Sequence, residues 1–199
     1  MASDVYVLAF DTSAAHCAAA LLCGDRLVAA RAEPISRGQA ERLIPLCEDI
    51  LAEGGAAWAD LSAIGVGVGP GNFTGIRIAV SAARGLALGL DIPAVGVTIF
   101  DAISEGYPQP HLPAVEAPRD QVYIAAAGAE ATLVTRACAE EMGPPLAFAP
   151  PGAALVEAIA QIAARRAGDA PAAPAPLYLK AADAAPARDA PPVIIDDLA

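Results

Sequence analysis

The chain has 199 residues and only two histidines, His16 and His111. No pair has the spacing of a metal site, and no histidine has a serine and an acid arranged around it as a catalytic triad needs. Four cysteines, Cys17, Cys23, Cys47 and Cys138, show no C-x-x-C spacing. They read as reduced thiols, three of them on apolar faces, and not as a disulfide or zinc framework. Positive charge is scarce as well. Lys and Arg total 12 against 23 Asp and Glu, a net charge of −11. Nucleic-acid affinity comes largely from basic side chains that neutralise phosphates, so the chain is poorly built to hold RNA alone. No run of eighteen residues combines strong hydrophobicity with freedom from charge and proline, so no membrane span is expected. Met1-Ala2-Ser3-Asp4 has no basic n-region, so a secretory signal is not expected either.

What the chain does have is apolar content, at 56%, with 18% charged residues, enough to build a core. Its most informative stretch is Gly65 to Ala79. A β-branched approach (Ile64, Val66, Val68) runs into Gly69-Pro70-Gly71, which reads as a buried strand ending in a tight turn. A helix follows, capped by Asn72 or Thr74. Along it, Gly75, Ala79, Ala83 and Ala87 form one small-residue stripe, and Ser81, Gly85 and Gly89 form another on roughly the opposite side. Glycine costs ~1 kcal/mol against alanine in a helix interior, so three glycines need a reason. Small residues let another backbone approach. The first stripe suits the helix's own sheet, and the second suits a partner.

The other elements follow in order. Val5–Phe10, Cys17–Leu22 and Leu27–Ala32 read as a three-stranded meander with Asp11-Thr12-Ser13 at its first tip. Arg37–Glu53 is an amphipathic helix with Leu43, Leu46, Cys47, Ile50 and Leu51 inward. Pro45 predicts a kink or late start, and Gly54-Gly55 the end. Trp58 reads as packing at the helix–sheet seam. Ile92–Val97 is a short strand, and Thr98 or Asp101 opens a helix to Glu105. The order β-β-β-α-β-α-β-α is that of the ribonuclease-H-like half of actin-type ATPases. Three prolines between Gly106 and Pro113 mark a boundary. Beyond it, Ala114–Glu116, Gln121–Ala127 and Ala131–Arg136 read as strands. Met142–Gly152 reads as irregular, Ala153–Arg166 as a helix, Ala170–Pro176 as a linker, and Leu177–Lys180 as an apolar anchor. The expected organisation is an α/β fold in two lobes, residues 1–105 and a reduced second lobe 106–180, with a loosely held tail 181–199.

Phosphate-gripping loops of this fold pair an aspartate with a glycine, so that backbone can approach phosphate oxygens closely. Here Asp11-Thr12-Ser13 has no glycine, and the second loop, Glu116-Ala117-Pro118-Arg119, has none either. Asp11, Thr12 and Ser13 read as a vestigial nucleotide loop, or as a plain Asx turn with self-satisfied oxygens. Gly69, Pro70, Gly71 and Thr74 form a structural turn. With no lysine following, it is not a Walker loop.

Four segments, Ala9–Ser13, Glu41-Arg42-Leu43-Ile44-Pro45, Gly69–Arg77 and Gly85–Gly89, closely resemble the bacterial TsaB family of tRNA threonylcarbamoyladenosine biosynthesis proteins, once classed as glycoprotease-like. Asp120–Tyr123 and Leu177–Leu179 match more weakly. The resemblance covers roughly the first 105 residues, and the G-P-G-x-F-T-G-x-R segment is very specific. It departs in a short second lobe and in Glu116–Arg119, where the family has Asp-Ala-Arg. The resemblance implies an actin-like fold and a non-catalytic, cytoplasmic subunit. Its partners would be a TsaD-like catalytic paralogue and a TsaE-like ATPase, and it would meet tRNA only through that complex. No cofactor is expected on this chain alone, and any ATP or ADP belongs to the partner interface. The paralogue's metal histidines are replaced here by Thr98–Ala102. The expected interface is Glu41, Ile44, Pro45 and Glu48 on one helix, with Arg77, Ser81, Arg84, Gly85, Leu88 and Gly89 on the next. The competing readings are an actin-fold small-molecule kinase or ATPase, a glycoprotease-like metallopeptidase, and a homodimer through the same helices.

Overall fold

The computed structural model describes residues 5–125 and 130–179. β1 (Tyr6–Asp11), β2 (His16–Cys23) and β3 (Arg26–Pro34) form the meander. α1 (Gln39–Gly54) and a 3-10 turn at Trp58–Asp60 lead to β4 (Leu61–Gly67). Then come α2 (Phe73–Leu90), β5 (Ala94–Val97) and α3 (Ile99–Gly106). The sheet order is β3-β2-β1-β4-β5, with β1, β4 and β5 parallel and the meander antiparallel. This is the ribonuclease-H-like arrangement of the actin-like fold.

Side chains alternate across a strand, so one strand feeds two cores. Leu8 and Phe10 of β1 face α1 and α2, where Leu43, Leu46, Ile50, Ile76, Ala79 and Ala83 close the first core. Val7 and Ala9 face the other side. There they meet α3 and a helix from far along the chain, α5 (Gly152–Arg166), through Leu155, Ile159 and Ala163. The lobe boundary expected at residue 105 therefore does not hold for residues 152–166, which complete the first lobe. The physical reason is that a sheet with two apolar faces must be covered on both. α3 is too short to cover the second face alone. At the crossing a Cβ on Gly65 would lie 2.8 Å from the Ala163 methyl, so a bare backbone there lets α5 sit close.

The second lobe is a four-stranded sheet in the order β8-β7-β6-β9. It comprises β6 (Leu112–Ala117), β7 (Gln121–Ile124), β8 (Thr132–Thr135), a short α4 (Arg136–Glu140) and β9 (Leu146–Phe148). α4 and β9 are elements the sequence reading did not contain. β9 lies in the proline-rich stretch read as irregular, where three residues parallel to β6 suffice for an edge strand. The expected strand end at Ala127 and the anchor residue Lys180 lie outside the described residues, as does the tail 181–199.

α1 starts at Gln39 behind Gly38, two residues later than expected, and continues through the exposed Pro45. Arg42 on this helix binds Glu33 of β3 through two bonds of 2.7 Å and reaches Asp49 at 2.7 Å. α2 is capped by Asn72, not Thr74, through a 2.9 Å bond from the Gly75 amide to Asn72 Oδ1. Among the described residues it is the one helix long and apolar enough to cross a membrane. Its first stripe is nonetheless packed on the sheet, and it carries Arg77 and Arg84.

Burial, followed by the nearby charge of Glu33, pushes the Cys17 thiol up to about 11, and burial also raises Cys47. The thiolate is the reactive form, so the two should be inert in the folded chain. A thiol-exchange time course at pH about 8 should modify the exposed Cys138 at once and Cys17 and Cys47 only after denaturation. Rapid modification of Cys47 in the folded chain would contradict the buried first core.

Candidate functional site

The tip between β1 and β2 is buried, with Asp11 and Thr12 at 0% exposure. Asp11 Oδ2 accepts from the Ser13 amide and the Ser13 hydroxyl, each at 3.0 Å, and lies 2.8 Å from His16 Nε2. One oxygen therefore behaves as the Asx turn predicts. The other, Oδ1, is buried without a hydrogen-bond partner among the described residues and lies directly over Gly67. The sequence reading paired His16 with neither Asp11 nor Ser13. A signal existed. Asp11 stands opposite Ala18 in the ladder, and His16, two residues along β2, is its diagonal neighbour on the same face. Ser13 and His16 both bind the acid instead of each other, so the arrangement has no nucleophile–base contact.

The Gly69-Pro70-Gly71 turn and the start of α2 press on this tip. The Thr12 hydroxyl donates to the Gly75 carbonyl at 2.6 Å, and the Asn72 amide donates to the Ser13 carbonyl at 2.6 Å. A Cβ on Gly71 would run into the Ser13 carbonyl, and one on Gly75 into the Thr12 carbonyl. The glycines absent from the loop are thus found opposite it, and they serve close packing of protein on protein. Two early amides of α2 are occupied as well: Gly75 N–H by the Asn72 side chain and Ile76 N–H by the Asn72 carbonyl.

Leu177 and Tyr178, in the segment expected to be an apolar anchor, pack here too, against partners that the sequence does not name. The Leu177 amide donates to the Val68 carbonyl at 2.8 Å, and Arg77 Nε donates to the Tyr178 hydroxyl at 2.7 Å. The Arg77 guanidinium sits 3.8 Å over the Phe73 ring, whose centroid is 4.7 Å from that of Tyr178. Between this wall and the second lobe lies an open cleft of about 1310 Å³. Its floor is Ser13–His16, and its far wall is the β6–β7 hairpin with Phe148. In that hairpin Arg136 of α4 bonds Glu116 at 3.1 Å, and Arg119 and Asp120 both stand at positive φ.

The expected interface residues lie on one side of the molecule. Glu41, Pro45 and Glu48 of α1 are exposed and Ile44 is half-buried. On α2, Arg77, Ser81, Arg84, Gly85, Leu88 and Gly89 are exposed, whereas Gly75, Ala79 and Ala83 are buried. A Cβ at Gly85 or Gly89 would meet nothing within 4 Å, and Leu88 is 86% exposed.

Residues 33–179 match the model of the family described as TsaD, tRNA N6-adenosine threonylcarbamoyltransferase. Over 100 residues the chain is 39% identical to the tRNA threonylcarbamoyladenosine biosynthesis protein TsaB of Escherichia coli, matching 50% of this chain and 43% of that one. The Haemophilus influenzae TsaB protein is 32% identical over 126 residues, covering 61% and 53%. The chain belongs to the TsaB branch of this family. It spans about half the length of these curated relatives. It also aligns with 94% of an uncharacterized Mycobacterium bovis protein at 34% identity, over 90% of its own length. A solved Pseudomonas aeruginosa protein, described as similar to peptidase YeaZ, superposes with TM-score 0.72 at 28% identity, covering 88% of this chain and all of that one.

The donor set of Thr98–Ala102 does not suit a metal. Thr98 caps α3 by accepting from the Asp101 amide at 3.0 Å. Ile99, Phe100 and Ala102 are buried in the core, and Asp101 pairs with Arg166 at 3.0 Å. No imidazole or thiolate stands there, and one carboxylate already paired is a poor donor set.

Proposed function

We propose that the chain is a non-catalytic dimerisation subunit in the formation of N6-threonylcarbamoyladenosine in tRNA, acting in the cytoplasm beside a TsaD-like catalytic paralogue and a TsaE-like ATPase. The observation that carries this reading is the outer stripe of α2. Two exposed glycines with open space above them, next to an almost wholly exposed Leu88, form a helix face that a second backbone can approach closely. A helix gains nothing from such glycines on its own. The tip at Asp11, held by Ser13, His16 and α2, supports a subunit without turnover of its own. A nucleotide, on this reading, belongs at the interface with the paralogue.

The test is reconstitution. The paralogue and ATPase should modify tRNA only when this chain is added, and a tagged chain should retain the paralogue on a column. Full modification without the chain would end the proposal. With a net charge of −11, the chain alone should not retain tRNA in filter binding at physiological salt. Sub-micromolar retention without a partner would contradict this part of the reading.

A further inference from the structure

An actin-like fold carries the expectation of a nucleotide between its lobes, and the cleft here fits only part of one. The end of the cleft at the Asp11 tip holds little fixed positive charge for a phosphate. Among the described lining residues there is no Lys or Arg, and the one carboxylate is Glu116. Asp11 Oδ2 is taken by three contacts. The amides of Asn72, Gly75 and Ile76 are bound internally, and Pro118 in the opposite hairpin has no amide to give. An anion entering this space would lose water and meet no Lys or Arg among the described lining residues; the Arg77 guanidinium is held over Phe73 and bonded to Tyr178.

The rest of the cleft is built for a ring. Phe73 and Tyr178 line one wall, and Tyr123 and Phe148 line the other. Ser36 and Tyr123, each with a hydroxyl, line the same space. Apolar walls with a few convergent polar groups are the usual make-up of a small-molecule site, and about 1310 Å³ exceeds the roughly 300–1,000 Å³ such sites need.

We propose that the interlobe cleft binds an uncharged aromatic ligand of nucleoside size and rejects the corresponding nucleotide. This site is separate from the α1–α2 face, so either proposal can fail without the other.

The probes are adenosine and ATP, which share a ring and differ in charge, titrated calorimetrically into the whole chain. Adenosine should bind saturably within the millimolar range, and ATP should bind about tenfold or more weakly. Tyr123→Leu keeps apolar bulk but removes the ring and the hydroxyl. It should weaken adenosine about tenfold with an unchanged melting curve. Glu116→Lys supplies the missing positive charge and should narrow the gap between the two probes. ATP binding as tightly as adenosine would overturn the proposal. So would the absence of saturable adenosine binding, or a folded Tyr123→Leu chain with undiminished affinity. If Tyr123→Leu lowers the melting temperature, the ratio of the two probes on the unaltered chain decides.

Discussion

Gly75→Ala should destabilise the chain by about 3 kcal/mol or more, against the ordinary sign of that substitution. In an exposed helix interior alanine is better than glycine by up to ~1 kcal/mol. Gly75 is not in such a place. A methyl group there would occupy the position of the Thr12 carbonyl, which is backbone and cannot rotate away. Either α2 lifts off the sheet or the β1–β2 tip is displaced. Both routes break the Thr12 bond to the Gly75 carbonyl and the Asn72 bond to the Ser13 carbonyl. At ~2–4 °C per kcal/mol for a chain this long, the melting temperature should fall by roughly 10 °C. Gly85→Ala is the matched control, ten residues along the same helix with nothing within 4 Å of the added methyl. It should raise the melting temperature slightly. Two identical substitutions of opposite sign in one helix isolate the contact from helix propensity. A Gly75→Ala chain at least as stable as the original would mean that the tip and α2 are not in contact as described.

Gly85→Leu should leave the isolated chain neutral or mildly stabilised while it breaks the complex. Leucine is the better helix former, and the space above Gly85 is open in the isolated chain. In the complex that space belongs to the partner's backbone. Overpacking a close seam costs ~1–3 kcal/mol, or about five- to a hundred-fold in affinity. Ala83→Leu should do the reverse, because Ala83 is fully buried against the first core and its enlargement forces α2 off the sheet. Melting curves and a pull-down of the paralogue read both variants. If Gly85→Leu is folded and binds undiminished, this face is not the interface.

The first lobe was legible because its signals are local. Alternating apolar residues, an Asn72 cap and two small-residue stripes each lie within one element, and the stripe orientation read from spacing is the one observed. What was not legible depends on residues far apart. Nothing local to Ala153–Arg166 says which sheet it covers, and only the need to bury Val7 and Ala9 assigns it. The Tyr178 contact with Arg77 joins residues 101 apart. Leu146–Phe148 is too short, among prolines, for any period to show. At the tip, composition announced a loop without glycine. That the glycines stand across from it, at 71 and 75, needed coordinates.

The return of α5 to the first lobe has a mechanical consequence. The chain crosses between lobes twice, outward after α3 and back before α5. A body tied at two points turns about the line through them and resists swinging sideways. The second lobe is therefore a flap on two pins. A rotation about that line would move Phe148 relative to Tyr178, which lines the same cleft. A ligand that bridges those rings would act as a wedge setting the angle of the flap.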